Sequence, residues 1–164
     1  MKKIVFYSIV IVMVAGMFNA CNKGSKNFHE QVLEFNSSLS ESDTTQMLDL
    51  CDRCMEYLKS NQVESALGML YEYDDEDQSV APLSEETLNS FRHRFSVFPV
   101  IDYNRISYTF LLEGLNDVKY EIIFAEEEHP EINGVPKTYF MFNPVKVDGQ
   151  WYLCVKRSDQ GFSY

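Results

Sequence analysis

Cationic residues are scarce in this 164-residue chain: 14 Lys and Arg stand against 25 Asp and Glu, for a formal net charge of −11. A surface this acidic repels phosphate backbones and anionic headgroups, which argues against nucleic acid as a partner. Cysteine is scarce as well, with four residues, so a disulfide-dense scaffold is excluded. No Gly-x-Ser-x-Gly, no phosphate loop and no Ser/His/Asp set stands out, so no catalytic residue is assigned. Apolar material is not lacking. With 45% hydrophobic and 14% aromatic residues the chain can build a core, which excludes general disorder.

One long apolar run exists, at the start. Lys2 and Lys3 precede Ile4 to Ala15, which is apolar apart from the hydroxyls of Tyr7 and Ser8, and Gly16 to Ala20 leads into Cys21. A charged start, an apolar middle and a small residue at a cut site are the layout of a secretory signal. Ending that site on a cysteine, the segment resembles a bacterial lipoprotein signal peptide. The resemblance implies that residues 1–20 are removed, that a diacylglyceryl group joins the Cys21 sulfur, and that the new amino group is acylated, typically by palmitate. Each buried methylene contributes about 0.8 kcal/mol, so two or more chains hold a protein stably where one does not. The other reading is an uncleaved signal anchor, for which Ile4 to Ala20 is at the short end of the roughly 17 to 25 residues a span needs. Losing Lys2 and Lys3 with the signal takes the net charge from −11 to −13. Membrane attachment would then come from the lipid on Cys21 and not from a basic patch. Asn22 is not the aspartate associated with inner-membrane retention, which favours the outer membrane, facing the periplasm.

The expected organisation is a signal over 1–20, a lipidated cysteine and tether over 21–44, and a single α+β domain over 45–164. Within the tether, Asn27 and Glu30 form a capping pattern ahead of Phe28, Val32, Phe35 and Leu39; the segment is either a short helix or a disordered spacer, broken by the serines of Asn36 to Ser42. A firm helix is predicted from Thr45 to Ser60, with Met47, Leu50/Cys51, Cys54 and Leu58 on one face. Asn61 is the joint to a second helix, capped by Asn61 with Glu64 and carrying Val63, Ala66/Leu67 and Leu70. Asp74 to Asp77 reads as a solvated acidic loop closing near Pro82. Ser84 caps a third helix, with Glu85 and Glu86 at its positive end, Leu83 stapled to Leu88, and a stripe of Leu88, Phe91, Phe95 and Phe98 ending before Pro99.

From there the period changes to two. Ile106, Tyr108, Phe110 and Leu112 alternate, Gly114 to Asp117 turns the chain, and Val118, Tyr120, Ile122 and Phe124 alternate again. After an acidic loop over Glu126 to Pro136, strands Thr138–Val147 and Gln150–Lys156 are joined by Asp148-Gly149, a two-residue hairpin signal. Pairing Val147 with Gln150 sets Phe142 against Val155 and Pro144 against Leu153, with Phe140 and Trp151 on the same core face. Tyr139, Met141, Val145, Val147, Tyr152 and Cys154 fall on the opposite face, which is too apolar to be bare. The chain's own ends, a second copy or another protein would cover it. Pro144 implies an edge or a bulge.

A helical hairpin, a third helix and four antiparallel strands ending in Val147-Asp148-Gly149-Gln150-Trp151-Tyr152-Leu153, with the joint Asn61-Gln62-Val63-Glu64-Ser65-Ala66-Leu67, resemble a cone-shaped α+β superfamily. It contains nuclear transport factor two-like proteins, ketosteroid isomerase-like enzymes and small lipoproteins of unassigned function. The resemblance implies three or four N-terminal helices on a curved four-stranded antiparallel sheet. A cystatin-like sheet wrapped on helices is the alternative. Enzymes, binders and interaction modules share the cone, so fold alone does not set function.

The leading expectation is a non-enzymatic envelope lipoprotein whose sheet face (Tyr139, Met141, Val145, Tyr152) meets a protein partner or a second copy. The alternatives are a small-molecule pocket lined by Phe91, Phe110, Tyr120 and Trp151, and an isomerase- or hydratase-type enzyme. For the enzyme, Tyr57, Tyr108 and Tyr120 are pocket-compatible, and Asp102, in the loop before the first strand, is the nearest acid. Cys51-x-x-Cys54 lies on the apolar face of a helix with no preceding strand, so core packing is the better reading than redox chemistry. His29, His93 and His129 show no ligand spacing with Cys51, Cys54 or Cys154, and Asp74 to Asp77 lacks a calcium-loop pattern. No metal and no cofactor is assigned.

Overall fold

The computed structural model describes residues 26–126 and 134–156. The signal segment, Cys21, the tether up to Ser25, His129 and most of the acidic loop after Glu126 lie outside the described residues. The chain divides into two units between Gln31 and Val32; the sheet, the core and the sites below all belong to the second.

Four helices and six strands are present among the described residues. The first helix, α1 (Phe28–Ser38), starts on the expected cap: Asn27 Oδ1 accepts from the Glu30 N–H at 2.9 Å, and the Asn27 N–H donates to Glu30 at 3.2 Å. The second, α2 (Glu41–Lys59), begins four residues earlier than the apolar pattern indicates. Ser40 is its cap and makes a reciprocal box with Asp43, so the serine-rich break is short and ends in a helix start. Met47, Cys51, Cys54, Met55 and Leu58 form its buried stripe.

Asn61, at a φ of +56°, is the joint, as expected. The helix after it is one short turn, α3 (Val63–Leu67), preceded by Gln62 with no side-chain cap. The Asn61–Glu64 cap is therefore not formed, and Leu70 is not helical. It opens β1 (Leu70–Asp74), which turns through Asp74 to Asp77 into β2 (Ser79–Pro82). Asp74 Oδ1 holds that turn by accepting from the Glu76 and Asp77 N–H groups at 2.9 and 3.3 Å. Pro82 ends an outermost strand, where a missing N–H costs little. The third long helix, α4 (Glu85–Val97), matches its expected limits, with Ser84 accepting from the Thr87 N–H.

The remaining strands are β3 (Asp102–Thr109), β4 (Asp117–Ile123), β5 (Lys137–Val147) and β6 (Gln150–Val155). The sheet order is β2-β1-β6-β5-β4-β3. The expected four antiparallel strands are thus extended to six, and β1 adds parallel to β6 through Leu70–Leu153 and Tyr71–Cys154. The hairpin register is as the sequence indicates, with Val147 facing Gln150, Phe142 facing Val155 and Pro144 facing Leu153. Asp148 and Gly149 both have positive φ, as a primed turn requires. The alternation in β4 also holds: Val118, Tyr120 and Ile122 are buried. In β3 it does not. Ile106 and Tyr108 are exposed, and the register shifts between Arg105 and Ser107, because β3 is the other outer strand and a bulge re-aims its side chains.

Two apolar clusters result. The larger joins the α2 stripe, Ala66 and Leu67, Phe95, and the inner faces of β4, β5 and β6. The smaller lies on the other side, where Val145 and Cys154 pack with Tyr73, flanked by Tyr71, Val80, Val147 and Tyr152. Part of the face that needed a cover is therefore covered by the β1–β2 hairpin, two strands missing from the sequence reading.

Candidate functional site

The sharpest feature of the sheet is the contrast between the two halves of β5. The β4 ladder ends at Val118–Phe142, so β5 runs on from Asn143 to Val147 without a strand on that side. The segment between β3 and β4 closes the gap. Asn143 Oδ1 accepts from the Asn116 N–H at 3.1 Å, and its amide donates to the Gly114 carbonyl at 2.8 Å. The Asn116 amide donates to the Pro144 carbonyl at 2.8 Å, and Glu113 accepts from the Lys146 N–H at 2.8 Å. Pro144 thus stands at a locally unpaired edge, consistent with its lacking N–H. Gly114 is obligatory here: its φ is +80°, and a Cβ would come within 2.5 Å of the Tyr73 ring. Burial pushes the Glu113 carboxyl above its usual range, and that carboxyl is committed to the Lys146 backbone.

The other half is different. β6 pairs with β5 only from Val147 to Phe142, so from Met141 back to Lys137 no described strand lies on the β6 side. A groove of about 440 Å³ runs there, lined by Phe91 and Arg94 of α4, Lys119, the run Lys137 to Met141, Val155 and Lys156. A second groove of about 350 Å³ adjoins it under the end of α4, where Phe95, Phe98, Ile122 and Phe124 are added. The floor is aromatic. Phe91 and Phe95 meet Phe140 edge-on at 5.9 and 5.8 Å between ring centres, and Phe98 meets Phe124 at 5.0 Å. The rim is cationic. Lys119 Nζ sits 4.2 Å from the Tyr139 ring centre and Arg94 lies 5.6 Å from that of Phe91, while Lys137 pairs with Glu121 at 2.9 Å and Lys156 with Asp117. Among the described residues the groove lining holds four cationic side chains and no carboxylate, with Glu121 and Asp117 pairing two of the four from outside it.

The expected pocket set is not brought together. Phe91 lines the groove, but Tyr120 is fully buried and donates its hydroxyl to Asp52, which also holds Arg105 at 2.9 Å. Burial and then the Asp52 bond push the Tyr120 phenol far above its usual range, so it stays a proton donor in a packed interior. Trp151 donates to Asp43 at 3.1 Å and borders a separate, open groove against α2. Phe110 follows β3 and faces Tyr108 at 5.3 Å. The expected interaction face is divided as well. Tyr139 is 52% exposed and Met141 half-buried, whereas Val145 is 1% exposed and Tyr152 packs edge-on against Tyr71 at 5.1 Å.

The acid candidate Asp102 is the first residue of β3, not a loop residue, and is exposed. Lys59, at 2.9 Å, holds its carboxyl below the usual range. Tyr57 borders the groove at Trp151, and Tyr108 is exposed on β3. Cys51, Cys54 and Cys154 are buried free thiols; burial pushes Cys54 and Cys154 up to about 12. Such thiols are packing residues at neutral pH. His29 and His93 are exposed. Among the described residues no three His, Cys, Asp or Glu side chains converge as a metal set.

No family model matches the chain, and no curated protein does. Among solved structures it is similar to a Campylobacter jejuni protein provisionally named an NTF2-like transpeptidase, at 13% identity over 66% of this chain and 96% of that one, with a TM-score of 0.36. The mixed α+β architecture described above stands on this chain's own topology.

Proposed function

We propose that the chain is an envelope lipoprotein carrying a non-catalytic binding domain of the cone-shaped α+β superfamily, anchored by acyl chains on Cys21 and facing the periplasm. The anchor rests on the Lys2-Lys3, apolar, Ala20-Cys21 layout. The superfamily reading is supported by the order of elements: three helices, the β1–β2 hairpin, α4, then a meander of four strands closing on the Asp148-Gly149 hairpin. One observation carries the binding role, the groove beside β5 with its aromatic floor and cationic rim. The best-placed polar groups elsewhere are engaged in structural bonds: Asp52 with Tyr120 and Arg105, Asp43 with Lys146 and Trp151, Glu113 with the β5 backbone.

Two measurements test this. Detergent-phase partitioning of the full chain from a bacterial host is expected for the wild type and lost for Cys21→Ser; equal partitioning of both would contradict the lipid anchor. Native mass spectrometry of the protein purified from its natural envelope is expected to show a bound or associated mass. Phe91→Ala, which removes part of the groove floor, is expected to reduce it. A bare chain under all conditions would contradict the binding role.

A further inference from the structure

The groove beside β5 has an unusual lining: Thr138, Tyr139, Phe140 and Met141 are consecutive. Successive strand residues point to opposite faces, so a cavity touched by four in a row runs along the strand's edge and not over a face. The hydrogen-bonding direction of that edge follows from the other half of the strand. Pro144 and Lys146 present their backbone groups to the β3–β4 segment. By alternation, with no register shift in β5, Thr138 and Phe140 face β4, and Tyr139 faces the β6 side, beyond Val155–Phe142, the last pair among the described residues. The Tyr139 N–H and C=O therefore point into the groove.

We propose that this edge binds an extended acidic peptide from a partner protein as an added strand. The proposal rests on the binding reading above and names its partner class. Main-chain pairing at Tyr139 would supply the register, as in other strand additions. Side chains of the added strand would alternate between two unlike surroundings. On the helix side they meet the rings of Phe91 and Phe140, which suits apolar residues. On the outer side they meet Lys119, which suits a carboxylate, and Lys137, which is already paired with Glu121. Lys119 has an aromatic ring beneath it and, among the described residues, no carboxylate within ion-pair distance, so an acidic residue there gains a pair without breaking one. From Lys137 to Met141 the edge spans roughly 17 Å, matching about five residues of partner. The local positive charge within an acidic molecule also disfavours self-association through this edge and favours an acidic partner.

The test uses the full chain and a fluorescein-labelled eight-residue peptide alternating valine and glutamate, read by fluorescence anisotropy. Saturable binding is expected, with no comparable binding of the valine–lysine counterpart. Lys119→Glu should weaken it about tenfold or more, because like charges then face each other. Tyr139→Pro should abolish it with the far-ultraviolet dichroism retained, since the lost N–H serves only the open edge. N-methylation of alternate amides in the peptide should abolish it in one of the two phases and not the other, a readout independent of any protein variant. Equal binding of the lysine peptide, indifference to N-methylation in both phases, no binding at all, or a dimer of this chain closed through Tyr139 would each overturn the proposal. A small-molecule mass on the native protein without peptide binding would leave the binding role standing and remove strand addition.

Discussion

From Asn143 to Val147, β5 has β6 on one edge and the Glu113–Asn116 segment on the other, and its outer face lies under Tyr73 and the β1–β2 hairpin. From Lys137 to Met141 the same strand has β4 on one edge, a groove on the other, and Tyr139 half in solvent. The sequence alternates similarly in both halves, so hydrophobicity alone does not separate them. The difference lies in two asparagines. The side chains of Asn116 and Asn143 satisfy four backbone groups, which converts a strand edge into a closed seam without adding a strand. Among the described residues the other half has no such pair. A strand can thus be sealed or left available by a few hydrogen bonds, and the available half is where binding is expected.

The largest effect should come from breaking the seam. Asn143→Ala leaves the Asn116 N–H and the Gly114 carbonyl unpartnered in a site where Asn143 is 1% exposed, and should cost about 3 kcal/mol in urea unfolding. Gly114→Ala strains a positive φ and drives a methyl into the Tyr73 ring; about 2 kcal/mol is expected by the same measurement. At the base of the seam, Lys146 first, then Ser40 and Trp151, hold the Asp43 carboxyl well below its usual range. A depressed folded-state pKa contributes stability above the ordinary carboxylate pKa and loses it as pH falls through the folded value. Asp43→Asn should therefore be less stable than wild type at pH 7, with a shallower decline toward pH 2. In the open half, Lys119→Ala should change stability by less than about 0.5 kcal/mol, since among the described residues the half-buried Lys119 makes a ring contact with the exposed Tyr139 and no ion pair. A large loss there would break the contrast.

Much of the fold was legible because it is written in local periodicity. The Ser84 cap, the α2 stripe, the Asp148-Gly149 turn and the β5–β6 register all follow from spacing within one or two elements. The β1–β2 hairpin was not, because Leu70 continues a helical spacing from Ala66 and Leu67 and only Gly68 interrupts it. Ser79 to Pro82 is four residues long and mostly exposed, too short to show a period. Of the site, the sequence points to Phe91 in one grouping and to Tyr139 and Met141 in another, and it does not reveal the cationic rim. Arg94, Lys119 and Lys137 lie far apart in sequence and become neighbours only through the pairing of β4 with β5 and the docking of α4. The overall charge of −11 hides such a cluster of cationic side chains, and only the folded chain brings it together.

Hydrogen exchange resolved to single amides along β5 tests the contrast most directly. In the free protein the Val145 amide is expected to exchange slowly and the Tyr139 amide fast, with Thr138 and Phe140 protected by β4. Addition of the valine–glutamate peptide should slow Tyr139 and leave Val145 unchanged. Equal protection of Tyr139 and Val145 in the free protein would show that the edge is already covered, and would contradict the account.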